Sequence, residues 1–206
     1  MTVHSQEGES IAAARKGDLE AFNQLVLAYQ NLLYTQAYRL LGDGQLADDA
    51  TQETFIKSYQ KLSTYRGGSF KVWLLRIVTN VCYDELRRRK RHLTVPLEPL
   101  DVDGNEFDSP YWLVDPGLSP EELVEQAEIR AGLQKLLDQL PVNYRTIIVL
   151  VDIQGLDYSE AAAVLGISIG TVKSRLARAR ERMRQYLIRA QDGRISSSVD
   201  SGLIKI

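Results

Sequence analysis

Five of the six prolines in this chain, Pro96, Pro99, Pro110, Pro116 and Pro120, crowd into one stretch that also carries Gly104, Asn105 and Gly117. A proline fixes φ and removes a backbone donor, so neither a helix interior nor a central strand runs through such a segment. The chain is therefore divided into an N-terminal part ending near residue 91 and a C-terminal part beginning near residue 119. At 206 residues it is long enough for one large domain or two small ones.

Both flanks read as helix. Asp18 is placed to cap a run in which Phe22, Leu25, Val26, Tyr29, Leu33 and Ala37 recur at three- and four-residue spacing, the stripe of a core-facing helix broken by Gly42 and Gly44. A second periodic run, Leu46 to Leu62, carries Phe55, Tyr59 and Leu62 on one face and closes at Gly67 and Gly68. Ser69 caps a third, with Phe70, Trp73, Leu74, Ile77 and Val81 on one side. Beyond the prolines, Ser119-Pro-Glu-Glu122 is a capping box that starts a helix continued by Ala127 to Leu140. Pro141 opens another through Ile153, which Gly155 ends. No stretch alternates as a strand does. The expected fold is all-α: a small helical domain over residues 1–91, a flexible linker over 92–118, a second helical domain over 119–191 and a disordered tail over 192–206.

Net charge is −2, which on its own argues against a nucleic-acid partner, but the charges are segregated. Arg87, Arg88, Arg89, Lys90 and Arg91 form one basic cluster; Lys173, Arg175, Arg178, Arg180, Arg182, Arg184 and Arg189 form another. Between Arg91 and Arg130 there is no Lys or Arg, and that gap holds acidic residues from Glu98 to Glu128. Two basic units are joined by an acidic strap. The single cysteine, Cys82, allows no intramolecular disulfide, and His4 and His92 have no ligand cluster around them, so no metal or cofactor is expected. No GxxxxGK[ST] phosphate loop occurs, and no apolar run approaches the roughly 20 residues of a membrane span. The expected compartment is the cytoplasm.

Asp157-Tyr-Ser-Glu160 is a second capping box, opening a short helix from Tyr158 to Leu165 that is rich in alanine. Gly166 turns the chain and Ser168 caps a further helix with Val172, Leu176, Ala179 and Met183 inward and Lys173, Ser174, Arg175 and Arg178 outward. Short helix, glycine turn and basic second helix are the pattern of a helix-turn-helix, whose second helix enters the major groove of DNA. A solvated basic helix is the plainer reading of the same charges. On the DNA reading, Lys173 and Arg178 donate to base edges or phosphates and the later arginines neutralise phosphate.

The order GDLEAFNQLVLAY (Gly17 to Tyr29), ADDATQETFIKSY (Ala47 to Tyr59), SFKVWLLRIVTNVCYDELRRRKR (Ser69 to Arg91) and LPVNYRTIIVLVDIQGLDYSEAAAVLGISIGTVKSRLARARERM (Leu140 to Met183) resembles the extracytoplasmic-function sigma factors of bacterial RNA polymerase. The likeness covers roughly residues 10 to 190 and implies a sigma-two bundle and a sigma-four helix-turn-helix. It further implies that Asp49, Gln52 and Glu53 dock on the clamp helices of the polymerase beta-prime subunit, with sigma-four at the beta flap. By the same resemblance Arg76, Asn80, Tyr83, Arg87 and Arg88 meet the melted minus-ten DNA, Asn80 lying near a pocket for a flipped base walled by Tyr65 to Ser69. Lys173, Ser174, Arg175, Ala177 and Arg178 meet the minus-thirty-five element. Ala177 departs from the bulkier residue that can stand there, which leaves the recognised bases open. An anti-sigma partner and a stress or envelope response are implied as well. No catalytic residue is expected.

For the bare residues other readings stand beside these: Asp49, Gln52 and Glu53 as a solvated helix face, Asn80 as a surface amide bonded to water, Trp73 as packing. Two other functions are separable. A stand-alone regulator binds duplex DNA without polymerase, normally as a symmetric dimer. A recombinase with a helix-turn-helix tail needs strands and an activated nucleophile, and neither histidine is near a plausible one.

Overall fold

The computed structural model describes the backbone of residues 3–92 and 120–200, with side chains over 6–91 and 127–189. Among the described residues every regular element is helical. The N-terminal unit comprises α1 (Val3–Ala14), α2 (Leu19–Leu41), α3 (Gly44–Lys61) with a 3-10 turn (Leu62–Thr64), and α4 (Phe70–His92). The C-terminal unit comprises α5 (Pro120–Asp138), α6 (Val142–Ile148) running into a π-helical turn (Val149–Ile153), α7 (Tyr158–Leu165) and α8 (Ile169–Asp200). No helix among the described residues is long and apolar enough to cross a membrane.

The expected caps form. The Asp18 carboxylate accepts from the backbone N–H groups of Glu20 and Ala21, and Ser69 Oγ accepts from Val72 N at 3.3 Å. Gly42 closes α2 in the left-handed region at φ 73°, its N–H donating to the Tyr38 carbonyl. Gly44 breaks nothing: it is the first residue of α3, capped by Asp43 accepting from Leu46 N at 2.9 Å. The capping box proposed at Ser119 lies outside the described residues, as does the linker. Helix α1 is not among the sequence-based elements; Ile11 and Ala14, three apart, are its buried face. Helix α8 carries on to Asp200, past the boundary at 192 expected for the tail.

The two units share one core. Leu33 and Leu40 of α2, Leu74 and Leu75 of α4, Leu137 of α5, Ile147 of α6 and Leu150 of the π turn are all essentially fully buried within one cluster, each burial contributing about 1.5–3 kcal/mol. Polar bonds cross the same boundary. Arg145 Nη1 donates to the Leu40 carbonyl at 2.7 Å and lies 3.1 Å from Asp138 Oδ1. Arg39 Nη1 donates to the Arg130 carbonyl at 3.1 Å and to Gln134 Oε1 at 3.2 Å. The π turn widens the helix so that Gln154 N reaches back to the Val149 carbonyl, and Gln154 bridges the units: Nε2 donates to the Leu32 carbonyl at 3.1 Å and its own carbonyl accepts from Lys71 Nζ at 2.7 Å.

Candidate nucleic-acid interface

The helix-turn-helix is built from local bonds that the sequence specifies. Asp157 Oδ1 accepts from Ser159 N at 2.7 Å and Glu160 N at 2.8 Å, while Glu160 Oε2 accepts from Asp157 N at 3.0 Å. The Ser159 hydroxyl and these backbone donors hold the Asp157 carboxyl below the usual carboxylate range. Gly166 turns the chain at φ 64°, a conformation strained for any side chain, and Ser168 Oγ accepts from Thr171 N at 3.2 Å. In α8, Val172, Leu176 and Ala179 are buried, and Lys173, Ser174, Ala177 and Arg178 are exposed together on the other side.

Arg175 is set apart from that group. It is only partly exposed and lies close enough to Tyr83 of α4 to lower the phenol's pKa, against the dominant upward push of burial. The later arginines, expected on phosphate, are largely engaged within the fold: Arg180 Nε bonds Asp152 at 3.1 Å, Arg184 pairs with Glu181 at 3.0 Å and Arg182 lies 5.0 Å over the Tyr144 ring. Among the described residues neither Arg178 nor Lys173 has a carboxylate partner, and Lys173 lies 5.9 Å over the Tyr158 ring.

On α4, Arg76, Asn80 and Arg87 are exposed, and their spacing of four and seven puts them on one face. Arg87 pairs with Asp84 at 2.9 Å. Tyr83 shares that face but is half-buried under the C-terminal unit, its hydroxyl donating to Thr146 Oγ1 at 2.9 Å. Arg88 is not brought together with them. It pairs with Glu85 at 2.8 Å and lines a cleft with Asp49 and Glu53 on another side of the helix. Trp73 stacks on Phe70 at 5.3 Å and tilts against Tyr65 at 5.3 Å, so most of its ring is packing. Its remaining surface, with Val72, Arg76 and loop residues Tyr65, Arg66 and Gly67, lines a cavity of about 350 Å³ whose far wall is Ala163 of α7. The loop lines this cavity and the first helix of the helix-turn-helix covers one side of it, whereas Asn80, expected near a base pocket, is not among its lining residues.

Asp49, Gln52 and Glu53 are exposed together on α3, while Ala47, Ala50, Thr51 and Thr54 of the same helix are buried. Glu53 pairs with Lys57 at 2.7 Å. Burial first, then the charge of Asp49, pushes the neighbouring Asp48 carboxyl up. The Phe22 and Tyr59 rings meet edge to face at 4.9 Å, and Tyr59, seven residues on from Gln52, shares its side of the helix and stays partly exposed. The cross-unit residues Arg39, Gln134 and Arg145 are absent from the sequence-based candidates; an arginine at position 39, between Ala37 and Leu40, is the one available cue.

Residues 25–92 match the family described as Sigma-70 region 2, and residues 130–183 match Sigma-70, region 4. The chain is 38% identical over 176 residues to the ECF RNA polymerase sigma factor SigE of Mycolicibacterium smegmatis, covering 85% of this chain and 65% of that one. It is 35% identical over 178 residues to the ECF RNA polymerase sigma factor SigW of Bacillus subtilis, covering 86% and 94%. Among solved structures it resembles the sigma factor RpoE of Bartonella quintana, determined in complex with the anti-sigma factor NepR, at 29% identity and a TM-score of 0.59, over 81% of this chain and 96% of that one.

Proposed function

The chain belongs to the extracytoplasmic-function sigma factors, initiation factors of RNA polymerase, and we propose that it docks on core enzyme through Asp49, Gln52 and Glu53, reads two promoter elements and helps melt the second. The observation that carries this is the outer face of α8, where Lys173, Ser174, Ala177 and Arg178 are exposed together on a helix locked in place by its turn, Lys173 lying 5.9 Å over the Tyr158 ring and Ser174 Oγ donating to the Thr171 carbonyl at 3.1 Å. These four read the minus-thirty-five element in the major groove, Arg178 donating to a base edge and Lys173 to base or phosphate. Arg175 serves phosphate once it leaves Tyr83. Arg76, Asn80 and Arg87 meet the melted minus-ten strand, Asn80 offering an amide that both donates and accepts at a base edge. Tyr83 joins them when the units part, and Arg88 belongs to the docking side.

No nucleotide-hydrolysis motif is present, so melting is driven by binding. Each opened step forfeits about 1.4 kcal/mol of stacking, and capture of an unstacked base returns about 1–3 kcal/mol. The sigma chain offsets a short bubble, and polymerase supplies the rest. The minus-ten and minus-thirty-five elements are by name about 25 bp apart, or about 85 Å of duplex at 3.4 Å per step. Two units in contact do not span that distance. Residues 93–119, extended at about 3.3–3.6 Å each, reach about 90 Å, so the acidic connector allows the units to part when mounted on polymerase. An anti-sigma partner closing over these faces, a stress or envelope signal and a cytoplasmic location complete the proposal. A gel shift on promoter DNA tests it: retention with core enzyme and chain together is expected, and tight retention by the chain alone would favour a stand-alone regulator.

A further inference from the structure

Among the described residues two buried side-chain polar atoms have no hydrogen-bond partner, Gln36 Oε1 and Arg145 Nε. Both lie where the two units meet. Arg145 reaches from α6 to the Leu40 carbonyl of α2. Gln36 stands four residues before Leu40 and four after Leu32, whose carbonyl accepts from Gln154 Nε2 of the other unit; residues at that spacing are neighbours on one side of a helix. Gln36 is completely buried, and its Nε2 donates to Thr79 Oγ1 of α4 at 3.3 Å. Along α4, Thr79 falls between Lys71, bonded to the Gln154 carbonyl, and Tyr83, bonded to Thr146. The Gln36–Thr79 pair is therefore set into the seam between the units.

The rest of that seam is apolar, with Leu40, Leu75, Ile147 and Leu150 fully buried. A buried acceptor left unpaired weakens the arrangement that buries it, and an apolar side chain of similar size removes the penalty. Water satisfies the amide once the units part, so the penalty falls on the closed arrangement alone. Thr79 does not depend on the amide. Thr51, Thr54 and Thr146 each donate at 2.7 Å to the carbonyl four residues back, an arrangement open to Thr79 as well.

We propose that Gln36 is a release element built into the seam: its amide keeps the closed arrangement only marginally favoured, so that core polymerase can part the units and uncover Tyr83. The inference rests on the reading that the units separate on polymerase. A chain that binds its partner from a minor open state shows an affinity reduced by that state's fraction. Gln36→Met, which removes the unpaired oxygen from the closed form and exposes an apolar side chain in the open one, favours closure twice over. Tightening the seam tenfold weakens apparent association with core enzyme by the same factor.

The test uses the full chain with dyes at exposed Gln60 and Gln139, one on each unit, titrated with core polymerase while energy transfer is followed. Transfer in the unaltered chain is expected to fall as core enzyme is added. In Gln36→Met the same fall is expected to need about tenfold more core enzyme. Adding Arg145→Ala to Gln36→Met removes a bond across the seam and is expected to bring the titration back toward that of the unaltered chain. A Gln36→Met chain that titrates like the unaltered one overturns this inference alone. So does a loss of binding that Arg145→Ala does not relieve, which places the fault inside the N-terminal unit. Transfer that stays constant in the unaltered chain while it migrates with core enzyme on a native gel overturns the parent reading and this one with it.

Discussion

Arg178 and Cys82 mark the two ends of what a single side chain does here. Arg178 is exposed with no carboxylate partner among the described residues, whereas Arg180 and Arg184, two and six positions on, are paired. Arg178→Ala is therefore expected to cost about 1–3 kcal/mol at one position of the upstream element and to relax selectivity there. Binding measured against single-base variants checks this, and an unchanged preference removes Arg178 from the reading set. Cys82 has no exposed surface, and burial pushes its thiol from 9.0 up to about 12. The unfolded chain gives up that proton near pH 9 and the folded one keeps it. The associated stability is thus intact below about pH 9 and lost as pH rises toward about 12, by up to about 1.4 kcal/mol per pH unit. Tyr34, pushed up to about 12 mainly by burial, adds in the same direction. The urea midpoint is expected to fall between pH 8 and pH 10, and Cys82→Ala to flatten part of that fall; an identical fall in the variant contradicts the assignment. The outward direction of Arg178 is legible in the sequence because turn, cap and spacing are local. The bridging roles of Arg39 and Arg145 are not, because their partners lie on the other unit.

At the level of the helix, most of the architecture is legible wherever a cap and a stripe coincide. Asp18, Ser69, Asp157 and Ser168 each accept the bonds their positions call for. Helix α1 escapes that logic, since among its described side chains Ile11 and Ala14 are the buried apolar ones and a stripe of two gives no period. The π turn escapes it too: Ile147 to Leu150 are buried consecutively, and an unbroken apolar run does not reveal the pitch of its backbone. Arg87 and Arg88 look equivalent in sequence, yet adjacent residues on a helix point about 100° apart, and Arg88 turns to the cleft with Asp49 and Glu53. The proposed docking face of α3, Asp49, Gln52 and Glu53, is exposed over a buried alanine and threonine floor. Glu53→Lys is accordingly expected to leave thermal unfolding within about 0.5 kcal/mol of the parent while impairing association with core polymerase. Native-gel titration with core enzyme checks it, and undiminished binding contradicts the docking role.

The whole molecule is closed: Ala163 walls the cavity beside Trp73, Tyr83 is tied to Thr146, and Arg145 caps the end of α2 from the other unit. Periodicity predicts two helical units and a tether, but not that they share a core, because a buried stripe carries no label for the surface that covers it. On the proposed function, reading both promoter elements requires the units to separate. Dyes at exposed Gln60 and Gln139 are expected to show efficient energy transfer in the free chain and a drop on binding core enzyme. Arg145→Ala, which strips the Leu40 carbonyl of its partner at a cost of about 1–3 kcal/mol, should lower transfer in the free chain as well; unchanged transfer in an initiating complex contradicts opening. The central claim, that two helical bodies mounted on polymerase select a promoter together, is tested most directly by transcription on a randomised promoter library with core enzyme, in the presence and absence of this chain. The account predicts new start sites preceded by two short shared sequences about 25 bp apart, about 85 Å of duplex. An unaltered set of starts, with no association between chain and polymerase, would contradict it.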